Sequence, residues 1–243
     1  MKKNNKVNIV RTSVHEQVYN YMKEAIESKR WDINEKIPPE VELAEMFGVN
    51  KITVRIALQQ LIGIGVLEKR VGDGTYVKEF DFADHIQKIT GFYMKPELLD
   101  QVCEFRRVIE LECARLAIDR ATPDELKKMK SILKEYRLEK ERIQAGKSKE
   151  YTLLVEKDLE FHQQICIMSH NDLFLNSFEV AKEPISQYLN VIVSKRIDGW
   201  IEHSVQLKNW RDLHEEIYNA IVAKDYELCK KLYLDMIDRE VAL

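Results

Sequence analysis

Cysteine, glycine and proline are all scarce in this chain, at four, eight and five residues out of 243. The four cysteines (Cys103, Cys113, Cys166 and Cys229) stand far apart and form no CxxC pair. That excludes a disulfide framework and a zinc knuckle, and it fits buried thiols in a reducing compartment. So little Gly and Pro, beside 45% hydrophobic and 33% charged residues, excludes collagen-like, low-complexity and broadly disordered chains. No apolar run approaches the ~18 residues of a membrane span, and the opening MKKNNKVNIVRTS lacks the apolar core of a signal peptide. The expectation is a soluble, cytoplasmic protein with no membrane partner. Its length suits one large domain or two modest ones.

The net charge of −3 conceals an asymmetry. Residues 1–78 carry 13 Lys and Arg against 10 Asp and Glu, whereas the remainder carries 25 against 31. A basic head on an acidic body directs any polyanionic partner to the head. Glycine marks the same division. Five of the eight fall between Gly48 and Gly74, and from Met94 onward only Gly146 and Gly199 occur. The pattern predicts a head over 10–78, a linker with at most one short helix over 79–93, and an all-helical body over 94–243. Helices are predicted at 96–119, 123–145, 151–169, 172–196, 200–222 and 225–241. Pro123 and Asp225 supply starts, Gly146 and Gly199 stops.

Within the head, Ser13-Val14-His15-Glu16 has the form of a capping box. Val14, Val18, Met22, Ala25 and Ile26 follow at helical spacing as one buried face. A short helix from Glu40 to Phe47 is predicted next, with Leu43, Ala44 and Phe47 facing inward. Gly48 permits a left-handed turn, Val49 plugs the core, and Asn50 caps a third helix from Lys51 to Ile62. At 100° per residue, Val54, Ala57, Leu58 and Leu61 share the inner face of that helix, while Lys51, Ile52, Arg55 and Gln59 form an outer stripe. Two cations one turn apart near a helix N-terminus suit phosphate contact and guanine reading. Val66–Arg70 and Thr75–Val77 then have strand chemistry around a Gly-rich tip. A basic stripe alone is no more than a solvated helix face. Helix, short helix, Gly turn, helix and hairpin in that order are far more specific, and they indicate double-stranded DNA as partner.

The stretch IPPEVELAEMFGVNKITVRIALQQLIGIGVLEKRVGDGTYV resembles the winged helix-turn-helix of the GntR family of bacterial transcription regulators. The resemblance implies that Lys51, Thr53 and Arg55 face an inverted-repeat operator and that Gly72 at the wing tip enters the minor groove; Gln59, on the outer stripe of the same helix, is expected beside them. Two departures stand out. Val41 occupies a position where the family often has Arg, and Asn50-Lys51 replaces the usual Ser-Arg; Lys lacks the bidentate fork of Arg.

In the body, YTLLVEKDLEFHQQICIMS places Leu154, Phe161, Ile165 and Met168 on an apolar face with Asp158 and His162 at its edge. A second stretch, NWRDLHEEIYNAIVAKD, sets His214 in the middle of an inner stripe of Trp210, Ile217 and Ile221. A carboxylate so near a core must be paired, hydrogen-bonded or bound to a cation. An Asp/His pair four apart with a second His from another helix has the composition of a divalent-metal site. A metal-free hydrogen-bond network is the plainer alternative. The remaining histidines (His15, His85, His170 and His203) read as surface residues.

FRRVIELECARLAIDRAT, KDLEFHQQICIMSHN and LHEEIYNAIVAKD are similar to the FCD ligand-binding domain of the FadR-like branch of the same family. That resemblance implies a helical bundle around a cavity that takes a small organic or sugar acid. It makes Asp158, His162 and His214 ligands of a divalent ion such as zinc, nickel or manganese, with Arg106 on the first bundle helix receiving the effector. The fourth family ligand falls on Met236, whose thioether suits hard cations poorly. Either water or effector completes the site, or Asp235 shifts in, or no metal binds. The expected whole is a homodimeric, effector-responsive repressor with a mainly α fold, a winged helix-turn-helix ahead of an all-α bundle. The rival reading is an enzyme, with Asp158, His162 and His214 as a two-His-one-carboxylate triad for iron-dependent oxygenation or hydrolysis.

Overall fold

The structure, a computed structural model, describes residues 12–93, 95, 97–145, 150–203 and 213–241. They fall into two compact units, Met1–His85 and Ile86–Leu243.

In the first unit, α1 (Val14–Glu27) starts where Ser13 Oγ accepts the Glu16 N–H at 3.4 Å. Val18, Met22 and Ala25 face the core, but Val14 does not: it opens the helix before the buried face turns inward and is exposed. Helix α2 (Glu40–Phe47) ends on Gly48 at φ 65°, a left-handed conformation that costs glycine nothing. Asn50 then caps α3 (Lys51–Gly63), its Oδ1 accepting the Thr53 N–H at 2.8 Å. Val54, Ala57, Leu58 and Leu61 are all buried, as their spacing requires. Strands β1 (Leu67–Arg70) and β2 (Gly74–Val77) pair antiparallel, with Leu67 opposite Val77 and Arg70 opposite Gly74.

The hairpin has a third, unforeseen neighbour. Residues 34–37 run beside β2: Asn34 N–H donates to Val77 O and Ile37 N–H to Thr75 O, each at 2.9 Å, and Val77 N–H donates to Glu35 O at 3.0 Å. The wing is therefore tied to the segment between α1 and α2. Most of the stretch read as linker is helix α4 (Phe82–Tyr93), and the two units divide inside it.

The second unit contains α5 (Glu97–Arg120), α6 (Pro123–Gln144), α7 (Thr152–Met168), α8 (Asp172–His203), α9 (His214–Val222) and α10 (Tyr226–Val241). Pro123 occupies the first turn of α6 behind a complete capping box, in which Thr122 and Glu125 satisfy each other's backbone N–H. Helix α7 is enclosed by α5, α6 and α8, so it buries residues on every side, not on the single face its apolar pattern suggested. Asp158 and His162 consequently lie in the interior and not at an edge.

One predicted break is absent. Helix α8 runs through Gly199 to His203, because Leu189, Val193 and Ile197 keep its inner face packed to that level; such packing outweighs the ~1 kcal/mol that an interior glycine costs. The predicted 200–222 helix is thus divided, its first residues ending α8 and its last forming α9. Trp210 and the stop at Gly146 lie outside the described residues.

Candidate functional site

The first unit presents one face of α3. Lys51, Ile52, Arg55 and Gln59 are all exposed there, and Lys51 is the first helical residue. Thr53 departs from the group. It is half-buried on the flank, and its hydroxyl donates to Asn50 Oδ1 at 3.0 Å, within the cap. Arg55 has a partner the sequence did not reveal. Its Nε–H and Nη2–H both donate to Glu40 Oε2, at 3.0 and 2.8 Å. Glu40, the first residue of α2, also lies 3.9 Å from Lys69 Nζ on the wing. The hydrogen bond to Arg55 lowers the Glu40 carboxyl below its ordinary range and raises the guanidinium, so both stay charged. A guanidinium has five N–H donors, and Glu40 engages two of them.

Gly72 turns the wing at φ 76° with nothing near it that a Cβ would touch. Behind the tip, Lys36 Nζ donates to Asp73 Oδ1 at 2.8 Å and Tyr76 Oη to Asp73 Oδ2 at 2.7 Å. The Arg70 guanidinium lies 3.9 Å from the Tyr76 ring centre. These contacts stiffen the ribbon and keep cations on its surface.

In the second unit, α5, α7, α9 and α10 bring six ionisable or hydrogen-bonding groups together in the interior. Arg106 and Glu110, one turn apart on α5, are both fully buried and paired through Nε and Oε1 at 3.0 Å. Arg106 Nη2 lies 3.2 Å from His162 Nε2 on α7. Since a guanidinium can only donate, His162 Nε2 accepts, and its proton sits on Nδ1. That Nδ1 faces Tyr233 Oη of α10 at 3.0 Å and Glu110 Oε2 at 2.8 Å.

Asp158 bridges the two histidines. Its Oδ1 is 3.1 Å from His214 Nε2, and its Oδ2 is 3.6 Å from His162 Nε2. The His214 ring is held at the start of α9 between Tyr136 and Phe161, with ring centres 4.5 and 4.8 Å away. Burial alone would push the Asp158 carboxyl up; His214, then His162 and Arg106, outweigh burial and hold it down at about 2. Burial likewise opposes ionisation of Glu110, and Arg106 and His162 overcome it. Both carboxylates are therefore anions in the interior.

One ligand atom from each of Asp158, His162 and His214 falls within 4.8 Å of the others. Asp158 Oδ2 is buried and accepts no hydrogen bond among the described residues. A divalent cation fits that donor set once His162 Nε2 releases the Arg106 N–H, and Glu110 and Tyr233 orient His162 from behind, as the outer partners of a metal-bound histidine do. Met236 is buried one turn beyond Tyr233 on α10, while Asp235 is not among the clustered ligands. Sequence reasoning placed Asp158, His162, His214 and Arg106 but missed Tyr233, whose only signal is its position one turn before Met236.

Elsewhere in this unit, an open groove of about 560 Å³ along α6 and α9 is lined by Lys127, Lys130, Lys134, Arg137, Glu215 and Tyr218. Arg137 is tied to Glu215 at 3.1 Å on this exposed face. His170, as expected, is a surface residue, paired with Glu125 at 3.0 Å.

Comparison with known proteins agrees with this division. The family model described as "FCD domain" matches residues 101–239, and the one described as "Bacterial regulatory proteins, gntR family" matches residues 14–77. The HTH-type transcriptional regulator LutR of Bacillus subtilis is 30% identical over 183 residues, which cover 74% of this chain and 78% of LutR. The putative L-lactate dehydrogenase operon regulatory protein of Escherichia coli is 24% identical over 229 residues, covering 89% of this chain and 80% of that protein. Among solved structures, Streptococcus agalactiae GntR superposes with a TM-score of 0.64 at 24% identity, covering 93% of this chain and 98% of its own, a likeness of fold.

Proposed function

The chain belongs to the GntR family of bacterial regulatory proteins and carries an FCD domain, which makes it a DNA-binding transcription regulator and not an enzyme, and from that premise we propose that it is a cytoplasmic, homodimeric repressor released from an inverted-repeat operator by a small organic acid. The oxygenase or hydrolase reading of Asp158, His162 and His214 falls with the same premise. What carries the proposal is the exposed row of Lys51, Arg55 and Gln59 on α3 beside a glycine-turned wing. One such module covers little of a duplex, so useful affinity calls for two modules on paired half-sites, and a two-fold protein matches an inverted repeat.

The effector class follows from charge. Metal ligation would require both imidazoles to be neutral, and Arg106, Glu110 and Asp158 would then leave the interior cluster one negative charge in excess. Asp158, His162 and His214 would hold a divalent cation, which supplies Lewis-acid attraction for an effector carboxylate. The cation turns the excess to one positive charge, and a monocarboxylate returns it to zero, the cheapest state for a buried site. Arg106 is the residue that would share the carboxylate, since its fork matches that geometry. The name of the Escherichia coli relative refers to an L-lactate dehydrogenase operon, and a hydroxy acid such as lactate is within this class. Differential effector binding of ~1–3 kcal/mol between two states would change operator affinity ~5–150-fold.

Two experiments test the reading. Duplexes selected by the full-length protein from a randomised pool should contain an inverted repeat. Affinity for them should fall with salt, and Lys51→Ala should make the log–log slope shallower by about one per half-site. A flat salt dependence would remove the basic face from its role. Native mass spectrometry should show a dimer with one divalent ion per subunit that chelator removes. His214→Ala should lose that ion and the effector response while binding operator normally without effector; retained metal would place the site elsewhere.

A further inference from the structure

An apolar side chain stands on the outward face of the first turn of α3. Val54, Ala57, Leu58 and Leu61 define the buried direction of this helix. At 100° per residue, Ile52 points almost directly opposite. It is 68% exposed, the most exposed large hydrophobic residue of α3, and Ile56, one turn on, is 42% exposed. Folding gains nothing from an isoleucine held there, and the unbound surface is less soluble for it.

Resting on the winged-helix reading above, we propose that Ile52 is a specificity-determining residue that reads the 5-methyl group of a thymine in the major groove of each half-site. Ile52 lies in the first turn of α3, and the N-terminal residues of a recognition helix are the ones that reach base edges. It has no polar atom, so it can engage neither a phosphate oxygen nor a base donor or acceptor. The thymine methyl is the one apolar group on the major-groove edge of the four bases. A β-branched side chain in a helix is confined largely to one rotamer, so Ile52 loses little freedom on contact. Arg55 follows three residues later on the same face, roughly 5–6 Å away. At 3.4 Å per base pair, the thymine lies one or two pairs from the base Arg55 reads.

The test uses full-length protein and a duplex it has selected from a randomised pool. Each thymine of the half-site is replaced singly by uracil, which deletes the methyl and leaves pairing and hydrogen-bonding edges unchanged. At one position the wild type should lose about four-fold in affinity per half-site, the equivalent of ~0.8 kcal/mol for one buried methyl. Ile52→Ala should bind thymine and uracil duplexes within about 1.5-fold of each other at that position. Uracil neutral at every position, or a methyl preference that survives in Ile52→Ala, overturns the assignment while leaving the winged-helix reading in place. Failure to enrich any sequence overturns both. Arg55→Ala separates the two cases, since it should abolish selection whatever Ile52 does.

Discussion

Arg55→Ala is expected to weaken binding to a selected operator by ~10²-fold or more while leaving the thermal unfolding midpoint within a degree or two. The side chain is 60% exposed and buries no apolar surface that the fold needs. Its removal deletes a guanidinium fork from each half-site, the commonest base-reading contact in the major groove. It also strips the Glu40 carboxylate of its closer cation, leaving it Lys69 at 3.9 Å. Arg55→Lys should behave differently, keeping the charge and most of the salt dependence but losing discrimination between operator and random duplex. Equal loss of affinity for both duplexes in Arg55→Ala would reduce the residue to a phosphate contact.

Arg106→Met should have the largest effect on stability. Arg106 is fully buried against Glu110 and within hydrogen-bonding distance of His162. Without it, Glu110 and Asp158 remain as interior anions with no permanent positive charge among the groups described around them. Removing one partner of a buried pair costs ~3–5 kcal/mol, which in a chain of this size corresponds to a drop of ~6–20 °C in unfolding midpoint. The double variant Arg106→Met/Glu110→Leu should recover most of the loss, because it removes the stranded charge along with its partner. A midpoint unchanged in the single variant would mean that Arg106 contributes only to ligand binding. Calorimetry of the two variants with and without added divalent ion reads stability and ligand binding together.

Helix periodicity carried much of this fold into view from sequence. The inner face of α3, that of α1 apart from Val14, and the cap bonds at Ser13 and Asn50 rest on local rules, and they formed as those rules require. His214 was conspicuous because it interrupts an apolar stripe, and it is buried beside Asp158. What escaped were contacts between elements. Glu40 and Arg55 are fifteen residues apart on different helices, and no periodicity links them. Tyr233 meets His162 across 71 residues. The run over 34–37 is too short and too polar to declare itself, and it meets β2 through one isolated bridge, Lys36 opposite Tyr76, with a few flanking backbone hydrogen bonds. The break predicted at Gly199 failed because a glycine weakens a helix locally, whereas packing along α8 is set by its neighbours.

The tie between residues 34–37 and the two-stranded wing has a consequence for the proposed encounter with a double helix. A ribbon of two four-residue strands is marginal in water and would flex at its tip. Here the backbone bonds from 34–37 and the Lys36–Asp73 ion pair immobilise it before any encounter. The entropy of ordering that tip is therefore lost during folding and not at the moment of association, which leaves more of the contact energy as net affinity. A stiff tip also tolerates misfit poorly. On the proposed mode of binding, a groove of the wrong width would be rejected by strain in the ribbon, so rigidity would itself contribute to choosing among sequences.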